Sequence, residues 1–143
     1  MRFREALGDF NHSECQEKIE ERMGKAVIER FARGDCAANL AATSMVANAY
    51  LFTGDEKCKK WVEEYVGAWM ERIAANGGIL PDNVGPRGIA GEMRQGQWWG
   101  GLYGWNHYQG FSIIFHGLTI AAECALMLTG DFGYLDLLRS QVN

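Results

Sequence analysis

Two thirteen-residue segments of this chain, TSMVANAYLFTGD at 43–55 and TIAAECALMLTGD at 119–131, align without a gap. Both are almost free of charge until the closing Asp, and both end in Thr-Gly-Asp. A run that is apolar nearly all round reads as a buried helix, and the glycine reads as its left-handed stop. A single such unit cannot cover its own apolar surface. Its recurrence therefore points to a layered array of paired helices, either a solenoid or a closed ring.

The rest of the chain fits an alternation of outer and buried helices. Ser13 with Gln16 forms a capping box. Ile19, Met23, Val27 and Phe31, with Ala26, follow at helical spacing opposite a face of Glu17, Lys18, Glu20, Glu21, Arg22 and Lys25. Gly34 stops that helix and Asp35 caps the first uncharged one, 36–53. Asp55 caps a third helix, 56–75, whose Trp61, Val62, Tyr65, Val66, Trp69, Met70 and Ile73 share one stripe. A second uncharged helix, 111–129, is interrupted only by Glu123 and encloses His116. YLDLLRSQ then begins another amphipathic helix.

Composition narrows the function classes. The 143 residues carry a net charge of -4, with 48% hydrophobic and 22% charged residues, which suits one globular domain over 1–143. No basic stripe invites nucleic acid or an acidic bilayer. No apolar run of spanning length is evident, and MRFREALGDF lacks an apolar leader core, so no membrane partner is expected. Cys15, Cys36, Cys58 and Cys124 are widely spaced without a C-x-x-C pair. Free thiols, a reducing compartment and a cytoplasmic location follow. Ligand spacings such as H-x-x-x-H, the P-loop and G-x-S-x-G are absent, so neither a metal nor another cofactor is expected.

Residues 76–110 change character, gathering both prolines and many glycines. ILPDNVGPRGIAGEM reads as a short β-hairpin turning at Gly85-Pro86-Arg87-Gly88. GQWWGGLYGWNHYQGF follows, with Trp98, Trp99, Tyr103 and Trp105 among glycines. A flat apolar ring matches the C–H face of a pyranose, and glycine lets a ligand approach the backbone. The plainer alternative is that these rings roof the core while the glycines make turns.

Through AYLFTGDEKCKKWV, LMLTGDFGYLDLL and NGGILPDNVG…WWGGLYGW, the chain resembles the α/α-toroid proteins, the rings of inner and outer helices found among carbohydrate-active enzymes. The resemblance covers about 13–141 and implies an all-α fold of repeated helical hairpins. About five helices supply only a partial ring, with one long Gly/Trp-rich loop. A complete ring needs about twelve, so the chain is either a piece of a longer protein or a partner in an assembly. The resemblance also implies a cleft where the long loop enters the second buried helix, a carbohydrate-processing activity, and an oligosaccharide or sugar-derived ligand.

A glycosidase needs two carboxyl groups about 5–10 Å apart, and Asp82 and Glu92 are the two in the loop. A polysaccharide lyase needs a base and a group that neutralises the substrate carboxylate, roles that Tyr103, Asn106, His107 and Arg94 fill by type. Asp82, Glu92 and His107 are thus the catalytic candidates. Asn83, Arg94, Trp98, Trp99, Tyr103, Trp105 and Asn106 are the substrate-binding ones. The bland alternatives are an Asx turn at Asp82, a solvated Glu92 and a loop hydrogen bond at His107. A non-catalytic helical module whose aromatic loop mediates protein association is the competing function. Two buried helices with too few outer helices to cover them also predict a homodimer or higher homo-oligomer.

Overall fold

The structure, a computed structural model, describes residues 12–27, 34–101 and 103–142, with the side chains of the first helix described over 18–25. The chain divides between Arg33 and Gly34 into two compact units. Among the described residues there are five α-helices, and β-pairing is limited to isolated bridges. The first unit contributes α1, His12–Val27. Its Glu21 and Lys25 pair one turn apart at 2.8 Å. Ile19 and Met23 were expected to be buried, yet they are 50% and 62% exposed. Their helical spacing is real, and spacing alone does not fix burial. The capping box at Ser13 and Gln16 and the stripe positions Ala26, Val27 and Phe31 lie outside the described side chains.

The second unit begins with a bridge between Asp35 and Val84, in which each backbone N–H donates to the other's carbonyl, at 2.8 and 3.3 Å. The first uncharged segment was expected to be one continuous helix. It starts instead as a 3-10 helix, Ala37–Ala42, and becomes α2 only at Thr43–Thr53. The reason is crowding against the second uncharged helix, α4, Gly110–Thr129. A Cβ at Gly117 would stand 2.5 Å from the Ala37 carbonyl oxygen, so the two backbones touch where glycine permits it. The narrower 3-10 coil fits that space.

α4 is the centre of the unit. It buries Ile114, Gly117, Leu118, Ala121, Ala122, Ala125 and Leu128, a helical stripe that packs against α2 and α3. α3, Glu56–Ala75, answers with Val62, Val66, Trp69 and Ile73 at the same spacing, while Tyr65 and Met70 are half-buried. Truncating a fully buried leucine such as Leu118 would remove about 2–5 kcal/mol. Contrary to the sequence expectation, α4 is long and apolar enough to cross a membrane by length and composition alone, with a mean hydropathy of 1.8. Within this fold its apolar stripe belongs to the core. Its opposite side is open, and His116, expected inside the helix packing, is exposed there.

The repeat returns bond for bond at the helix ends. Gly54 and Gly130 adopt φ of 69° and 74°. Their N–H groups donate to the Tyr50 and Leu126 carbonyls, each at 2.7 Å. The Thr53 and Thr129 hydroxyls donate one turn back to Ala49 and Ala125, each at 2.7 Å. The same hydroxyls accept from the Asp55 and Asp131 N–H groups at 3.2 and 3.1 Å. The Asp55 and Asp131 carboxylates then cap the next elements, accepting from Lys57 and Gly133 N–H. The first turn leads into α3. The second, with Gly133 just past the cap, leads into a 3-10 helix, Phe132–Leu135, and the short α5, Asp136–Arg139.

Because the two turns are equivalent, Gly54→Ala and Gly130→Ala should each lower stability by about 1–2 kcal/mol, the cost of forcing a Cβ into the left-handed region. Urea denaturation checks this. Unequal losses, or none, would show that the shared sequence does not carry a shared constraint.

Candidate functional site

The loop between α3 and α4 is built around one buried side chain. Asp82 is fully buried. Its Oδ1 accepts from Gly101 N–H at 2.9 Å and its Oδ2 from Trp105 N–H at 2.6 Å. Its own N–H donates to the Trp98 carbonyl at 3.0 Å. The strands of loop it joins are so close that a Cβ at Gly101 would strike the Asp82 carbonyl, and one at Gly104 would strike its carboxylate. Glycine is required at both positions for that approach.

From this anchor the chain rolls forward in successive three-residue turns. Gly104 N–H donates to the Gly101 carbonyl at 3.2 Å, His107 to Gly104 at 2.9 Å, and Gly110 to His107 at 2.8 Å. The last bond delivers the chain to the first residue of α4. Trp105 is pinned from the other side, its indole N–H donating to the Leu80 carbonyl at 2.8 Å while its ring packs against the core. Gln141 closes the loop's start by accepting from Leu80 N–H and donating to the Gly78 carbonyl, each at 2.9 Å.

Residues 83–91 form the turned segment. Gly88 N–H donates to the Gly85 carbonyl, Gly85 N–H to Ile89, and Gly91 N–H to Asn83. Asn83 is buried and its side-chain amide donates to the Gln97 carbonyl at 3.3 Å. Glu92 folds back onto this turn. Its Oε1 accepts from the Arg87 side chain at 2.6 Å and its Oε2 from the Arg87 N–H at 3.0 Å. Those two bonds, side chain first, hold its carboxyl below the ordinary range.

Asp82 and Glu92 are therefore held by separate hydrogen-bond sets, one by Gly101 and Trp105 and the other by Arg87. Neither carboxylate lines the cleft between the end of α3 and Trp98. Both carboxylates accept from backbone N–H groups of the loop. His107 is half-buried, its Nδ1 accepting from Gln109 N–H at 3.2 Å, with Tyr103 edge-on at 5.2 Å and Tyr108 tilted over it at 4.5 Å. Arg94 lies beside Gly100, and Asn106 is exposed at the loop surface. Cys36 stands at the start of the 3-10 helix. Burial, and then the Asp35 and Asp82 carboxylates, push its thiol up against the opposing pull of the Asn39 and Ala38 N–H groups, so it stays protonated at neutral pH.

The exposed part of the loop is aromatic. Trp99 and Tyr103 are each 42% exposed, and Tyr108 is 88% exposed. Trp98 meets Trp99 edge-on at 5.4 Å and turns into a cleft of about 380 Å³ against the end of α3. Tyr103 holds a φ of 54°. Sequence reasoning missed Tyr108. It gave Asp35 only a capping role, whereas its carboxylate also accepts from the Tyr65 hydroxyl at 2.9 Å and the Asn39 amide at 2.8 Å. The spacing G-x-x-G-x-x-H-x-x-G, residues 101–110, was the signal available for the rolled turns.

The model of a family described as Domain of unknown function (DUF8034) matches residues 5–143. The chain belongs to this family. No curated protein and no solved structure matches it. In this DUF8034 domain the site is thus described by its own geometry: a loop locked by a buried carboxylate, presenting open aromatic rings.

Two charge-assisted bonds to a buried carboxylate contribute about 1.5–3 kcal/mol each, so Asp82→Ala should cost about 3 kcal/mol or more in urea denaturation. Glu92→Gln should behave differently. A depressed carboxyl stabilises the fold above its unfolded range and loses that contribution as the pH falls through the depressed one. The difference between Glu92→Gln and the unaltered domain should therefore vanish on acidification. An Asp82→Ala variant of unchanged stability would contradict this assignment of roles, as would a Glu92→Gln difference that grows in acid.

Proposed function

We propose that this domain binds carbohydrate through the exposed aromatic face of the loop, within a helical array of α/α-toroid type. The observation that carries the reading is the pairing of a rigid frame with open rings. Trp99, Tyr103 and Tyr108 stand exposed on a backbone that Asp82 and the successive turns hold fixed. Large apolar rings are ordinarily drawn into a core, and here the loop spends buried hydrogen bonds to keep them outward. A preordered flat surface loses little entropy when a sugar ring stacks on it. Asp82 and Glu92 shape the surface and the reading assigns them no chemical step.

Trp99→Ala and Tyr103→Ala should each weaken binding of oligosaccharides by about 1–3 kcal/mol while leaving the far-UV helix signal intact. Calorimetric titration against a panel of neutral and acidic oligosaccharides reads this. An unaltered domain that binds none of the panel, or variants that bind as before, would contradict it.

Self-association is a second reading, favoured by the open sides of the uncharged helices. On α2, Met45 and Phe52 lie two turns apart on one face and are 74% and 93% exposed, with Leu51 beside them at 58%. On α4, Phe111 and Met127 are 68% and 56% exposed. Several large apolar side chains left open on adjoining helices are the mark of an unfilled contact. A second copy packed about a two-fold axis would cover the same face on both chains. Light scattering at micromolar concentration should give about twice the 16.0 kDa chain mass, and Phe52→Asp should return the monomer. A monomeric unaltered protein would overturn this reading and leave the aromatic loop's function untouched.

A further inference from the structure

The cleft at the end of α3 holds a cation with unused donors. Arg72 sits in the last turn of the helix with its guanidinium 5.1 Å from the centroid of the buried Trp69 ring. Its Nε donates to the Gly88 carbonyl at 3.1 Å. Its Nη1 is buried and has no hydrogen-bond partner. Among the described residues, no carboxylate lies within ion-pair distance of it. The guanidinium is thus fixed in place by a stacking contact and one hydrogen bond, with charge and donors left over. The cleft of about 380 Å³ that Arg72 lines is otherwise uncharged, walled by Ala75, Asn76, Ile89, Gly96 and Trp98.

We propose that this cleft binds a small carboxylate-bearing ligand, with Arg72 as the anion-binding group and Trp98 as an apolar wall. A guanidinium cannot give up its proton, and its planar fork matches the two oxygens of a carboxylate. The volume suits a ligand of monosaccharide size. Phosphate fits less well. Sites for a dianion collect backbone N–H groups or a helix N-terminus, whereas α3 ends here and turns its partial negative charge toward the cleft. A singly charged carboxylate meets that field at the smaller cost. The source of the carboxylate is a free organic acid or an acidic sugar, and the two are separated by experiment. The proposal does not depend on sugar stacking at Trp99 and Tyr103.

The test uses the whole chain, titrated with propionate, with glucuronate and with a neutral oligosaccharide, and followed by the Trp98 indole and Arg72 Nε–H resonances in NMR. Binding of glucuronate, or of both acids, is expected, with shifts centred on those two groups. Propionate binding as tight as glucuronate assigns the site to organic acids, and glucuronate alone assigns it to acidic sugars. Arg72→Gln should weaken acid binding at least tenfold and leave the response to the neutral oligosaccharide unchanged. Because Arg72 also packs against Trp69, Ala75→Glu supplies a second arm. It keeps the arginine and places a competing carboxylate one helical turn away, in the cleft wall, and it should weaken acid binding to a similar degree. Failure of both acids to bind the unaltered protein would overturn the proposal, as would affinities that Ala75→Glu leaves unchanged. Loss of neutral-oligosaccharide binding alone would count against the aromatic face and not against this cleft.

Discussion

A carboxylate removed from water must find hydrogen-bond donors, and Asp82 finds them in the backbone of its own loop. That requirement organises the second unit from Leu80 to the start of α4. The Asp82 side chain draws in Gly101 and Trp105, its N–H takes the Trp98 carbonyl, and the tryptophan beyond reaches back to Leu80. A long glycine-rich segment would otherwise carry a large conformational entropy into the folded state. The buried acceptor removes much of that freedom at a single point. The exposed rings of Trp99 and Tyr103 inherit a fixed position from it.

The helices set the frame in which that loop closes. α4 begins at the last of the rolled turns and buries its small residues against the 3-10 segment, α2 and α3. The bridge between Asp35 and Val84 ties the entry of the first uncharged segment to the turned part of the loop. The Asp35 carboxylate ties that entry in turn to Tyr65 on α3. Burial, and then the neighbouring carboxylate, push the Tyr65 hydroxyl well above its ordinary range, so it is a hydrogen-bond donor to Asp35 at neutral pH. One end of the helical unit is therefore a polar network, while the open side of α2 carries Met45, Leu51 and Phe52.

Local rules were the legible ones. Gly54 and Gly130 could be read as left-handed stops because a helix end needs that conformation and few other residues accept it. The stripe Val62, Val66, Trp69 and Ile73 could be read because helical spacing alone assigns it to one face. The role of Asp82 could not, since its partners are N–H groups 19 and 23 residues away, and a backbone N–H carries no residue identity. Charged residues in a polar loop look alike whether they catalyse, solvate or hold the chain together. Phe52 failed for another reason: composition says that a helix is apolar, not which of its sides a neighbour will cover. Arg72 carried no signal in the sequence, because its contacts come from Gly88 and from the ring of Trp69 three residues back, neither visible as a charge pattern.

The central claim is that the Asp82 carboxylate holds the aromatic loop rigid, and amide hydrogen exchange of Gly101 and Trp105 tests it most directly. The account predicts that these two amides exchange far more slowly than exposed loop amides in the unaltered protein. Asp82→Asn, which retains only one strong acceptor oxygen, should accelerate at least one of them while the amides of α4 stay protected. Fast exchange at both positions in the unaltered protein, or equal protection after the substitution, would contradict it.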